Sequence, residues 1–350
     1  MILRSTHSMN TPAAFYAMQN KMRERFRRKF CLHPAAPNGC SKNSGAAHTV
    51  QRALIAKYLA EDNHVLKFSM DFNPKLNEPL VLSKVGVNKA TTFYGFCGLH
   101  DDALFKLLEA REFTFEARQI ALLGFRSFSR ELYCKEAELE MTKTLIDYML
   151  QHPDPQTLDR VECLKAKYLG SQNARQNLRR AWSQFGEAVE STSPDELRYH
   201  ALLFSHAPVY LASAAFLPEW DFDGTLLQDL NNLREFHGIS FSSWAASDKA
   251  AAVFCWHQSC DSICLPFINS LHTIEKTMVA NRILAMAFEF SENVIFRPSW
   301  WESLKQADKD LLSTRVASGG QLLDRESDCL AADGLRAIES STLKIVSNVI

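Results

Sequence analysis

The chain has no apolar run long enough to suggest a membrane span. Its most apolar stretch, residues 201–216, is too short and is broken by His206 and Pro208. The opening residues lack the apolar segment of a secretion signal, and the expectation is a soluble, cytoplasmic protein with no membrane partner. A disulfide framework is also missing. Nine cysteines, an odd number unevenly spread over 350 residues, do not resemble the dense pairing of small secreted proteins, and a reducing compartment is expected. There is neither an internal repeat nor a low-complexity tract. Net charge is nearly absent too, with 39 Lys and Arg against 40 Asp and Glu. That balance hides an asymmetry, because residues 1–52 hold nine Lys and Arg against Glu24 alone. A polyanionic partner should therefore meet the N-terminal end.

The length suggests more than one core. Thr11 and Pro12 read as a cap and first turn of a helix whose buried stripe is Phe15, Met18, Met22, Phe26 and Phe30. Its other face carries a basic ridge, including Arg23, Arg27, Arg28 and Lys29, suited either to solvent or to phosphate contact. Residues 34–45 read as a tight loop, 49–60 as a short helix, and 65–72, 80–87 and 91–96 as strands. Helices are expected over 101–108, 115–150 and 158–189. Strand-like runs occupy 199–217 and 239–256, followed by a long apolar helix over 260–290 and another over 299–316 behind Pro298. The expected class is α+β: a basic, zinc-stabilised module over 1–112, a helical connector over 113–190, and a mixed sheet-and-helix domain over 191–350.

Inorganic chemistry concentrates in residues 31–101. Cys31 and Cys40 bracket a loop, and Cys97 with His100 has the spacing that lets one knuckle turn supply two metal ligands. Zinc suits such a place because thiolate and imidazole satisfy its tetrahedral preference where the fold has little core of its own. His33 and His64 remain alternative ligands. The plainer reading makes these cysteines small buried hydrophobes.

With AHTVQ around His48, GVNKA around Asn88 and GFCGLHD ending at Asp101, the segment resembles the zinc-bracketed HNH, or ββα-metal, nuclease family over about one fifth of the chain. The resemblance implies His48 as general base, Asn88 as the group orienting it, and Asp101 as a ligand to a catalytic Mg2+ or Mn2+. It also implies Cys31, Cys40, Cys97 and His100 as holders of structural zinc, and DNA or RNA as substrate. The sequence departs from the family pattern in three places. Ala47 stands where many members carry an acidic metal ligand, His100 replaces a knuckle cysteine, and Asp101 replaces the usual His. These changes preserve a structural zinc more securely than they preserve catalysis, so a non-catalytic nucleic-acid-binding or sensing protein is the competing expectation. The wider pattern of AHT-x-Q, VNKAT-x-F-x-GFC-x2-HD and EN-x4-P-x-WW resembles a group of bacterial proteins, for which defence against phage or plasmids is a reasonable context.

Other motifs invite simpler explanations. Residues 221–225, DFDGT, resemble the signature of haloacid-dehalogenase-type phosphatases, which requires the tip of a buried parallel strand; a turn leading into a helix over 225–236 explains the same letters. Cys255, His257, Cys260 and Cys264 are expected in a packed core, and His206, His237 and His272 in satisfied or surface positions. Trp300 and Trp301 cannot share one helix face, so one should meet another element or a partner.

Overall fold

A computed structural model of the chain describes residues 30–41, 45–70, 80–151, 153, 157–191, 194–231, 235–319 and 327–349. The basic helix expected before Phe30, with Arg23, Arg27, Arg28 and Lys29, lies outside the described residues.

The class is α+β, as expected. Strand β1 (Ala47–His48) leads into a short helix α1 (Arg52–Leu54), extended by a wider turn over Ile55–Leu59. Strands β2 (His64–Met70) and β3 (Leu80–Gly86) follow, then β4 (Thr92–Phe93), which returns to pair antiparallel with β1. Helix α2 (Gly98–Glu109) starts three residues earlier than its apolar spacing suggests, inside the Cys97 knuckle. Two long helices, α3 (Ala117–Gln151) and α4 (Thr157–Glu190), pack along one another. Strands β5 (Leu197–Phe204), β6 (Tyr210–Phe216), β7 (Ile239–Ala246) and β8 (Lys249–His257) build the sheet. Helices α5 (Asp261–Ser270) and α6 (Val279–Phe290), strand β9 (Ile295–Phe296), helices α7 (Pro298–Ser303) and α8 (Gln306–Gly319), and strand β10 (Thr342–Ser347) complete it.

The eight-stranded sheet runs β10-β5-β8-β7-β6-β9-β2-β3, with every pairing antiparallel. Strands from the first hundred residues thus extend the sheet made by the last hundred and fifty, joined where Leu66 faces Phe296. Alternation along β8 shows the layering. Ala252, Phe254 and Trp256 enter the core beneath α5 to α8, while Ala251, Val253 and Cys255 enter the core beneath α3 and the knuckle region. A strand covered on both faces reads as an unbroken apolar run, which is what residues 250–256 are.

Two expected helices differ. The single helix over 260–290 is divided into α5 and α6 by turns between Leu271 and Met278, where backbone bonds such as His272 N to Asn269 O replace the helical ladder. The segment from Thr225 to Asn231 forms loop and turns rather than a helix; Leu226 bridges to Trp220, and Asn231 N donates to Asp229 Oδ1. Trp300 and Trp301 are both buried within the chain, Trp300 donating to Ala337 O at 3.2 Å and Trp301 lying edge-on to Phe68 at 5.5 Å.

The two long helices are packed tightly at Gly124. A Cβ there would fall 2.2 Å from Cε1 of the buried Phe185. Gly124→Ala is expected to force the ring aside and lower stability by about 1–3 kcal/mol in urea unfolding, despite alanine's better helix propensity.

Candidate metal centre

Three backbone bonds shape the first knuckle: Ala36 N to His33 O, Asn38 N to Ala35 O, and Cys40 N to Pro37 O. Gly39 takes φ +69°, a left-handed turn open to glycine, and carries the chain close past the His100 ring. Pairing of Leu32 N with Gly95 O at 2.8 Å lays this knuckle beside the second one. From α4, Trp182 Nε1 donates to Leu32 O at 3.2 Å and fixes the pair against the helical layer. The second knuckle is a helix start: Cys97 is the N-cap of α2, Asp101 N donates to its carbonyl, and the first turn brings the buried His100 back toward the sulfurs.

Cys31, Cys40, Cys97 and His100 therefore converge, their ligand atoms all within 4.8 Å of one another. His100 Nδ1 lies 3.4 Å from Cys31 Sγ and 3.6 Å from Cys40 Sγ. Ligands at about 2.3 Å around a tetrahedral ion stand roughly 3.8 Å apart, so this Cys3His cluster has the dimensions of a structural metal site such as one for zinc. The fourth place falls to His100. His33 stacks on its ring at 4.0 Å but turns Nδ1 to Ala35 N, and the His64 ring bonds to Asp62 O. Cys40 is pushed up to about 11, chiefly by burial, whereas Cys97 comes down to about 7 as backbone bonds from His100 and Ser41 outweigh its own burial.

His48 sits on β1, opposite Thr92 of β4, with α2 following directly. This is a strand pair followed by a helix, with the Cys3His cluster bracketing it. The His48 pKa is lowered by burial first, against the Val87 carbonyl, which raises it, and then by the charges of Arg126 and Arg52. Its Nε2 meets Val87 O at 3.4 Å. Asn88 does not make that contact: its Oδ1 accepts from Arg52 Nη1 at 3.0 Å, and the carbonyl one residue earlier restrains the ring instead. Asp101 is raised to about 6, mainly by burial, and its Oδ1 has no hydrogen-bond partner among the described residues.

Arg126 is the residue that sequence reasoning missed. It lies on α3, 1 % exposed, its guanidinium carbon 3.8 Å from the centre of the Phe105 ring and its Nη2 2.8 Å from Glu109 Oε1. Nε and Nη1 are without partners among the described residues, and its charge acts on both His48 and Asp101. The only sequence signal was a lone charged residue, Arg126, inside the mostly apolar stretch of residues 120–128.

The other candidates disperse. Among the described residues, no second group of three or more His, Cys, Asp or Glu donors lies close enough to share an ion. Cys255 and Cys264 are buried in the cores on either face of the sheet. His206 Nδ1 bonds to Ser340 Oγ, and Asp221 Oδ1 accepts from the amides of Asp223 and Thr225 in a turn closed by Gly224 at φ +81°. With the sheet antiparallel among the described residues, the phosphatase signature lacks its parallel strand. No described helix is long and apolar enough to cross a membrane. Comparison with protein-family models, curated proteins and solved structures finds no match.

Proposed function

We propose that the N-terminal module, stabilised by zinc at the Cys3His cluster, acts on the phosphodiester backbone of nucleic acid as an HNH-like nuclease. One observation supports this reading: the charge of the buried Arg126 acts both on His48, on the strand pair, and on Asp101, on the helix that follows. Neutral His48 is the base that takes a proton from the attacking hydroxyl group or water, and the Val87 carbonyl limits its ring rotation. Burial first, with Arg126 and Arg52 adding to it, lowers the pKa of the ring and favours its neutral form. Asp101, with an oxygen free of partners, suits the one-carboxylate mode in which Mg2+ or Mn2+ is shared with substrate phosphate, and an ion there would neutralise charge on the phosphate. The basic ridge holding Arg23, Arg27, Arg28 and Lys29 would add salt-sensitive, sequence-independent affinity.

Incubation of plasmid, single-stranded DNA and RNA with Mg2+ or Mn2+ tests the assignment. His48→Ala should lower cleavage by about 10²- to 10⁴-fold with zinc content unchanged. Equal cleavage by the variant would remove His48 from the mechanism. The acid limb of the rate profile should fall below the ordinary histidine value of 6.5, and Arg52→Gln should move it to higher pH, since one repelling charge is gone.

Ala47 and the capture of Asn88 by Arg52 favour a second reading, a zinc-stabilised module that binds nucleic acid without cutting it. Salt-dependent binding with intact substrate under every metal condition would select it.

A further inference from the structure

The C-terminal half holds a second sulfur cluster, which the zinc centre does not use. Cys260 is the N-cap of α5, at φ −99° and ψ 5°, just outside the helical turn. Cys264 follows four residues later, so both side chains leave the same side of the element. Both thiols are free. Cys264 is fully buried, and Cys260 is 6 % exposed beside the exposed Ser259.

The surroundings of Cys260 are polar in a way that space-filling does not require. His237 lies close enough to stabilise a thiolate there, and its loop is clamped by Gln228, which accepts from His237 N at 3.1 Å and donates to His237 O at 2.9 Å. On the solvent side, Ser259 Oγ stands 4.0 Å from Cys260 Sγ and 2.8 Å from His257 Nδ1, while His257 Nε2 meets Glu196 at 3.4 Å. Cys264 Sγ lies 3.7 Å from Gly238 O. Interaction with the Cys264 thiol, and then with His237, brings Cys260 down to about 5 against its burial. Burial first, and the neighbouring Cys260 second, push Cys264 far upward. The environment thus favours the thiolate at Cys260 over Cys264, the asymmetry on which dithiol oxidation runs.

We propose that Cys260 is a thiol-oxidation site with Cys264 as its resolving partner, so that a small hydroperoxide closes an intramolecular disulfide at the entry to α5. The Cys260 thiolate attacks the terminal oxygen of the hydroperoxide, the O–O bond breaks, and the leaving alkoxide takes a proton from solvent. The product is a sulfenic acid on Cys260. Cys264 sulfur then attacks that sulfur, the S–O bond breaks, and the hydroxyl leaves as water with the proton from the Cys264 thiol. Two electrons pass from the sulfur pair to the peroxide, giving one alcohol, or water from hydrogen peroxide, and one water. Cβ atoms four apart on a helix stand about 5–6 Å from one another, against roughly 3.5–4.5 Å across a disulfide. Cys260 must therefore move inward from its cap position, and the resulting bond should be readily reduced.

The test uses the full-length, zinc-loaded chain treated with hydrogen peroxide, alkylated, digested and weighed. The tryptic peptide of residues 250–276, which holds Cys255, Cys260 and Cys264, should lose two hydrogens, protect Cys260 and Cys264 from alkylation, and recover both on dithiothreitol. Cys264→Ala should leave a sulfenic acid on Cys260 that dimedone traps. Cys260→Ser should abolish both products, and His237→Gln should slow peroxide consumption several-fold while the far-ultraviolet spectrum stays native. Cys260 remaining alkylatable while other cysteines oxidise would overturn the proposal. So would an unchanged product in Cys264→Ala, or a disulfide made to Cys255 instead. None of these readouts involves nucleic acid.

Discussion

Protein prepared without chelator is expected to carry one equivalent of zinc, and its removal should unfold the region around both knuckles. Little else holds that region together. Strands β1 and β4 have two residues each, α1 has three, and the first knuckle closes on three backbone bonds. Apolar support comes from Leu32, Phe93 and Phe96, which pack toward α3 and α4, and from a smaller cluster that includes Val50 and Ala90. Structural zinc contributes about 10–16 kcal/mol of apparent binding free energy in small finger peptides, far more than such a partial core supplies. Cys97→Ser should abolish zinc in elemental analysis and raise amide exchange of residues 30–50 and 90–100 to near that of unfolded chain. Strands β7 and β8, buried between two apolar layers, should keep their protection. A zinc-free wild-type protein with full protection at both knuckles would refute the structural role of the metal.

Parts of this centre were legible in the sequence, because short-range spacing was enough to find them. Cys97 and His100 fall within one helical turn, and the loop between Cys31 and Cys40 advertises itself through Pro34, Pro37 and Gly39. That the two halves come together depends on contacts across more than fifty residues, for which the ligand types were the only guide. The long helices were equally readable, since their apolar spacing persists for about ten turns. Asn88 and Arg126 mark the limit of that legibility. Asn88 was assigned from its place between the two motifs, yet the rotamer that matters is decided by Arg52, and the carbonyl that restrains His48 has no letter in a sequence. Arg126 looks like an interruption of an apolar stripe until α2 places Glu109 against it.

The sheet was less readable for a related reason. Strands β2 and β3 could be recognised by alternation, but their joining to β6 through the two-residue β9 is set by Leu66 facing Phe296, and neither residue announces its partner. Likewise the apolar content of residues 260–290 suits one helix or two. The break is made by packing, with α5 lying under β8 and α6 against β6 and α8.

Acid is expected to destabilise the sheet domain well above the pH at which most carboxylates titrate. His200 in β5 is fully buried, and neither ring nitrogen has a hydrogen-bond partner among the described residues. Burial first, and His272 second, lower its pKa from 6.5 to about 4. His206, after the same strand, also falls to about 4, through burial and then Lys249. Above pH 6.5 both rings are neutral in the folded and unfolded chain, so stability does not depend on them. Between 6.5 and 4 the unfolded chain holds protons that the folded chain refuses, so stability falls as pH falls; below 4 both states are protonated and the loss is complete. A depression of that size corresponds to about 3 kcal/mol for each ring, enough to bring a domain of ordinary stability to the edge of unfolding. His200→Leu separates this effect from general acid denaturation. Leucine leaves no polar nitrogen stranded in the core, so the variant should lose less than about 1.5 kcal/mol at pH 7.5. In urea titrations at pH 4.5 it should then be more stable than wild type. Equal pH dependence in the two proteins would mean that the His200 ring finds a proton acceptor in solution.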